Sequence, residues 1–222
     1  MTPPTPTPFV PLPPVVGLDP LVAVWPAGTV VYRSYNVAWG LRSFYSGDAG
    51  HRGRFHPFNP GRRRKPLPVL YASESVAGAL AESIFHDVPP RGTRVVDAGK
   101  LAHQLCVPMT ARRDLILADL TGAGLARIGV TRGELIDGGP RTYPATARWA
   151  KALHDQTDVD GLLWVSRLHD LSRNVVLFED RVDPADLGPA AGHALLALGS
   201  GLGFDLALEL ADQMGITITG IA

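Results

Sequence analysis

The chain has 222 residues, 45% hydrophobic and 19% charged, which suits one domain with a full core and excludes a disordered polymer. Lys plus Arg and Asp plus Glu are both 21, so no net charge recruits nucleic acid or an anionic membrane and any basic site must be local. The single cysteine, Cys106, excludes an intrachain disulfide, and no apolar run approaches the ~18 residues of a membrane span.

Residues 1–20 are proline-dense and read as an extended arm, because proline fixes φ and donates no ladder hydrogen bond. The start, Met1-Thr2-Pro3-Pro4-Thr5-Pro6, lacks the basic and apolar regions of a secretory signal, so a cytoplasmic location is expected. The first strand signal is the β-branched and aromatic run Gly28–Tyr35, with Arg33 near its end. Residues 36–68 are irregular and rich in glycine and proline. They contain the basic run Arg62-Arg63-Arg64-Lys65, a solvated loop or a grip for nucleic acid or an acidic partner.

Val69–Ala72 reads as a short buried strand. Ser73 is the expected N-cap of a helix over Glu74–Phe85, with Glu74 favoured in the first turn by the helix dipole. Ala77, Leu80, Ala81, Ile84 and Phe85 form one apolar stripe. Glu82 borders that stripe, with Gly78 and Ser75 one and two turns earlier on the same side, a small-residue strip that leaves room for a ligand. Periodicity alone is equally compatible with a surface glutamate.

Further strands are expected at Thr93–Asp97 and Leu115–Leu120, with an apolar segment at Leu101–Val107 that holds His103 and Cys106 as core residues. No second His or Cys stands at ligand spacing, so no metal site is expected. A short helix follows at Leu125–Ile128, and a longer one opens at Tyr143-Pro144. Asp160-Gly161 reads as a turn before the strand Leu162–Ser166, and Asn174–Phe178 as another strand. Ser166 is not in a Gly-x-Ser-x-Gly elbow, which argues against a hydrolase nucleophile. Beyond residue 182 the composition shifts to a linker and an Ala/Leu/Gly-rich helix from about Gly203 to Met214, with Ile216–Thr219 as a last strand or tail. The expected organisation is an arm (1–20), an α+β domain of mixed sheet and flanking helices (21–182) and a C-terminal helical extension (183–222).

The order Tyr32-Arg33, Gly53-Arg54-Phe55-His56-Pro57, Leu70-Tyr71-Ala72-Ser73, Ala81-Glu82, Asp160–Arg167 and Asn174–Phe178 resembles the RES-domain family of bacterial toxins paired with Xre-type antitoxins. It departs from that family in having Phe55-His56 where Trp-Asn often follows the second arginine. Ser34 stands directly after the first, with the aromatic Tyr35 one place later. The resemblance implies an ADP-ribosyltransferase-like fold that uses NAD as substrate, with no separate cofactor and with water, inorganic phosphate or a protein as acceptor. It implies Glu82, Arg54 and Arg33 as catalytic residues and Tyr71, Ser166, Tyr35 and Asn174 as substrate-binding residues. It further implies an Xre-type antitoxin blocking the pocket, and is compatible with a homo-oligomer. No Rossmann glycine fingerprint is present, as suits NAD consumed rather than held for hydride transfer. A non-catalytic module using Arg62–Lys65 is the alternative from another class.

Overall fold

The computed structural model describes residues 9–47 and 52–220. Its strands are β1 (Val22–Trp25), β2 (Val31–Asn36), β3 (Val69–Ser73), β4 (Val95–Asp97), β5 (Gln104–Ala111), β6 (Leu115–Asp119), β7 (Gly161–Val165), β8 (Arg173–Phe178), β9 (Leu187–Pro189), β10 (Leu196–Ala197) and β11 (Thr217–Thr219). Its helices are α1 (Val76–Ala81), α2 (Gly122–Arg127), α3 (Arg132–Leu135), α4 (Tyr143–Gln156) and α5 (Gly201–Gln213). One large mixed sheet runs β1-β6-β7-β8-β3-β2-β5-β10, with β9 also on β5, while β11 and β4 form a separate parallel pair. Within the large sheet β6 and β7 are parallel, joined by a crossover through α2, α3 and α4, and the other pairings are antiparallel. This is the α+β fold expected, a single mixed sheet with flanking helices.

One face of the sheet carries two apolar clusters. The first sets Trp149 and Leu153 of α4 against Leu162, Trp164, Val176 and Phe178 of β7 and β8. The second sets Leu80 of α1 against Cys106 of β5 and Ala207 and Leu210 of α5. Cys106 and Trp149 are thus core residues, and burial pushes the Cys106 thiol up to about 12. Residues 187–219 supply β9, β10, α5 and β11, so the C-terminal helix packs into the second cluster. The opposite face is filled by Trp25, Leu70, Met109, Leu115, Leu177 and neighbours, with Leu41 and Phe44 from the loop after β2 packed on.

Several local readings change. Asp160 does not serve simply as a turn residue. Its buried carboxylate takes two hydrogen bonds from Arg113 at 2.8 and 2.7 Å and one from the Ile116 N–H at 2.8 Å, tying the start of β6 to the start of β7. Gly161 beside it is obligatory, since a Cβ there would stand 2.1 Å from the Val176 carbonyl oxygen. The strands β1, β9 and β10 escape sequence reading because they are two to four residues long and sit at or near sheet edges. Helix α3 also goes unforeseen, although Thr131-x-x-Glu134 forms a full capping box at its start.

The proline-rich arm is held from residue 9 onward, and residues 1–8 lie outside the described part. Val10 and Leu18 pack on the first cluster. Trp149 Nε1 donates to the Pro11 carbonyl at 2.8 Å, Gln156 Nε2 donates to that of Pro14 at 3.0 Å, and the Leu18 N–H donates to Gln156 Oε1 at 3.1 Å. Phenylalanine in place of Trp149 keeps most of the buried ring but removes its N–H. Trp149→Phe is therefore expected to cost about 1 kcal/mol, a fall of roughly 2–4 °C in Tm, with faster protease cleavage within residues 9–18. Unchanged cleavage would show that this hydrogen bond does not hold the arm.

Candidate active site

The site is laid out by strand register. Trp164 of β7 pairs with Asn174 of β8, Asn174 with Ser73 of β3, and Ser73 with Tyr32 of β2. Registered partners point to the same face, so these four side chains form a row across the middle of the sheet. They lie between the α4 cluster and the α1–α5 cluster. A cavity of about 470 Å³ opens over this row, lined among others by Tyr32, Arg54, Tyr71, Glu82, Trp164 and Asn174.

Glu82 enters from the end of α1, which is shorter than its apolar stripe suggests. Its N-cap is Ser75, whose Oγ accepts from the Gly78 N–H at 3.0 Å. Ser73, expected to cap it, instead ends β3, and its Oγ donates to the Arg173 carbonyl at 3.3 Å. The helix stops at Ala81 with Glu82 as C-cap, and Ser83 Oγ takes the Ala79 carbonyl at 2.6 Å in competition with the backbone ladder. Gly78 does not leave space for a ligand. A Cβ there would meet Ser73 Oγ at 2.2 Å and Ser172 Cβ at 2.5 Å, so the glycine lets α1 press onto β3 and the loop before β8.

The Glu82 carboxylate is fixed by Ser166. Ser166 Oγ donates to Glu82 Oε1 at 2.7 Å and accepts from the backbone N–H groups of Leu168 and His169 at 3.0 and 3.1 Å. Two donors occupy the hydroxyl's lone pairs, so its own proton is directed at the carboxylate. Ser166 is fully buried and is not among the cavity-lining residues, which it meets through its bond to Glu82.

Arg54 is buried beside the Glu82 side of the cavity. Its Nη1 donates to the Gly138 carbonyl at 2.9 Å, and its guanidinium lies 5.4 Å from the centre of the Tyr143 ring. Its Nε and Nη2 are buried with no partner among the described residues. Burial lowers its pKa, Tyr143 and Glu82 act to raise it, and Arg167 adds to the lowering. Tyr71 packs edge-on to Trp164 at 6.0 Å and accepts from the Phe55 N–H at 3.3 Å, and burial pushes its phenol up. Gly53 is needed for that approach, because a Cβ there would lie 2.7 Å from the Tyr71 hydroxyl. Asn174 is buried, and neither its Nδ2 nor its Oδ1 finds a partner among the described residues. The same holds for Trp164 Nε1 and Ser34 Oγ on the cavity wall.

Two expected site residues lie elsewhere. Alternation along β2 sends Tyr32 and Ser34 to the cavity, and Arg33 and Tyr35 to the other face. Arg33 is buried there and donates to the carbonyls of Leu41 and Ser43 at 2.5 Å each, with its guanidinium 5.4 Å from the Tyr35 ring. Burial lowers its pKa to about 10, which leaves it charged at neutral pH. Arg33 and Tyr35 therefore brace the loop after β2 and do not line the cavity. The basic run Arg62–Lys65 is exposed and likewise lines no part of it, and Arg63 pairs with Asp180 at 3.8 Å.

The cavity residues unforeseen from sequence include Tyr32, Ser34, Arg52, His86, Gln104 and Trp164. Period 2 from Glu82's partner strands was the available signal, since Trp164 shares a face with Ser166, and Tyr32 with Ser34. Among the described residues no group of three or more His, Cys, Asp or Glu is arranged to hold a metal, and no helix is long and apolar enough to cross a membrane.

The comparisons with known proteins bear on the family and the fold. Residues 30–197, most of the chain, match the model of the RES domain, and the chain belongs to the RES-domain family. Its fold is similar to a chain in the crystal structure of the M. tuberculosis MbcT–MbcA toxin–antitoxin complex. The TM-score is 0.60 with 16% identity over 86% of this chain and 92% of that one, a likeness of fold. No curated protein matches the sequence.

The contact between α1 and its neighbours gives a test whose sign is informative. On a free helix Ala is better than Gly by about 1 kcal/mol. Here Gly78→Ala is expected to destabilise by about 1–3 kcal/mol through overpacking, seen as a fall in the denaturation midpoint. A gain in stability would mean that Ser73 and Ser172 yield freely. Ser166→Ala, which leaves two backbone donors without their acceptor, is expected to cost about 1–3 kcal/mol as well.

Proposed function

We propose that this chain is an NAD-cleaving enzyme and the toxin half of a toxin–antitoxin pair. The observation that carries this reading is the set of buried polar atoms without partners among the described residues around a fixed carboxylate: Arg54 Nε and Nη2, Asn174 Nδ2 and Oδ1, Trp164 Nε1 and Ser34 Oγ. Native proteins rarely leave such groups unpaired, since each costs about 1–3 kcal/mol. A polar ligand that pairs them is the economical explanation. NAD fits their chemistry, with a diphosphate for arginine, hydroxyl-rich riboses and a carboxamide. Membership of the RES-domain family and a fold shared with a toxin–antitoxin complex support the same reading.

The reaction follows from the groups. The C1′–N1 bond to nicotinamide breaks, and its electron pair goes to the ring nitrogen, which leaves as neutral nicotinamide. Positive charge develops on the ribose, as in glycoside hydrolysis. The Glu82 carboxylate, held by Ser166, stabilises that charge. Arg54 offers its free Nε and Nη2 to the diphosphate, where a planar guanidinium gives two parallel charge-assisted bonds. Asn174 presents a donor and an acceptor, the complement of a carboxamide or of a ribose hydroxyl pair. Water or inorganic phosphate then closes on C1′ from the open side, an attacking water losing one proton. The partner is an antitoxin that covers the cavity mouth and prevents depletion of cellular NAD.

Incubation of the pure protein with NAD, with and without phosphate, should release nicotinamide, and dependence on phosphate would assign phosphorolysis. Glu82→Gln should fold normally and lose about 10²–10³ in kcat, in keeping with the loss of one electrostatic stabiliser. Asn174→Leu should raise KM for NAD about tenfold, the worth of about 1.4 kcal/mol. Absence of nicotinamide release by the unaltered chain under both conditions would overturn the reading. Label carried from NAD into other proteins would reassign the acceptor.

A further inference from the structure

The cavity wall holds a hydrogen-bonded line that the chemistry above does not use. His86 lines the cavity four residues beyond Glu82, with its side chain only 16% exposed. Its Nδ1 lies 2.9 Å from Asp87 Oδ1, and its Nε2 lies 2.5 Å from the Tyr143 hydroxyl. Tyr143 is itself buried at the start of α4, and its ring is the surface against which the Arg54 guanidinium rests. The line thus runs from an exposed carboxylate, through an imidazole and a phenol, to the arginine whose Nε and Nη2 are buried without a partner among the described residues.

We propose that His86 is a positioning residue: with Asp87 it fixes the Tyr143 hydroxyl, and through the Tyr143 ring it keeps Arg54 in its substrate-binding orientation, an arrangement that protonation of the imidazole reverses. The kinetic part of this inference rests on the NAD-cleaving reading, and the tautomer part rests on geometry alone.

The hydrogen-bond directions follow from what each group can do. The Asp87 carboxylate only accepts, so Nδ1 carries the proton. A neutral ring then has Nε2 as acceptor, and the Tyr143 hydroxyl donates to it. A protonated ring donates from both nitrogens. The Tyr143 oxygen would then have to accept from Nε2 and turn its own proton elsewhere. The charged side chains acting on that oxygen are Arg54, Arg167 and Glu82; guanidinium groups only donate, so the displaced proton turns toward the Glu82 carboxylate. Arg167 also reaches the His86 carbonyl, with Nη2 at 3.4 Å. The charged and titratable groups beside the imidazole are Asp87 and Tyr143 in hydrogen bonds, Arg167 at its carbonyl, and Glu82, Arg54 and Arg52 on the same cavity wall. Reversal of the His86–Tyr143 bond turns the phenol proton toward Glu82 and reseats the ring, and Arg54, which rests on that ring, moves with it. The effect falls on binding of the diphosphate, so it is read in KM more than in kcat.

Two measurements decide the matter. In the ¹⁵N spectrum of the histidine-labelled full chain at neutral pH, the His86 signals should show Nδ1–H with Nε2 unprotonated, and Tyr143→Phe should shift the Nε2 signal. An Nε2–H tautomer would overturn the proposal whatever the activity. In kinetics with NAD, KM of the unaltered chain should rise about tenfold between about pH 7.5 and about pH 5.5, the range in which imidazoles change charge, with a much smaller change in kcat. His86→Gln, which can still accept from Tyr143 but cannot gain charge, should show a KM raised severalfold and flat with pH, and Tyr143→Phe should be flat too. A pH slope retained in either folded variant, or absent from the unaltered chain, would overturn it. No nicotinamide release at any pH would count against the NAD reading and leave the spectrum to decide this one.

Discussion

The hydrogen bond from Ser166 to Glu82 is the contact on which the site depends. It joins residues 84 positions apart in the chain, one at the end of β7 and one at the end of α1. Its direction is set because two backbone N–H groups already occupy the serine's acceptor sites. A carboxylate held this way cannot turn into solvent when the cavity is empty, so it is preorganised for charge that develops later. The rest of the fold serves that contact. Gly78 brings α1 down onto β3, the β7–β8 register sets Asn174 beside Trp164, and the Asp160–Arg113 tie anchors β7 at its other end.

The cavity lies where two helical clusters on one sheet face leave the central strands uncovered. That placement explains its polarity. Side chains such as Asn174 and Trp164 at the base of that gap are shielded from bulk water, so a polar group there must find a partner or await one. Ser73 finds its partner in the Arg173 carbonyl. Asn174, Trp164 and Ser34 find none among the described residues, and two of the three Arg54 nitrogens do not either. The contrast with Arg33 is instructive, since that arginine is equally buried but donates to two loop carbonyls. Of the two arginines, the one with open donors is the one that lines the cavity.

Much of this was legible in the sequence, and the exceptions have physical reasons. The strands at 69–73, 115–119, 161–165 and 173–178 and the helix from Tyr143 follow their apolar patterns. Arg54, Tyr71, Glu82 and Asn174 do line the cavity. Arg33 and Tyr35 were misplaced because residue order carries no face, and one step along a strand reverses a side chain. Ser166 was assigned to the ligand and meets the cavity through its bond to Glu82, a distinction that only its two backbone donors reveal. Ser75 displaced Ser73 as the cap because the strand runs on to residue 73. His86 and Tyr143 meet across 57 residues through a tertiary contact with no local signature.

The central claim is that the polar atoms left open around Glu82 are those that NAD would pair. Calorimetric titration of NAD into folded Glu82→Gln protein isolates binding from turnover. The account predicts saturable binding with one site per chain, weakened about tenfold by adding Asn174→Leu. No heat of binding from a protein whose melting transition is intact would contradict it.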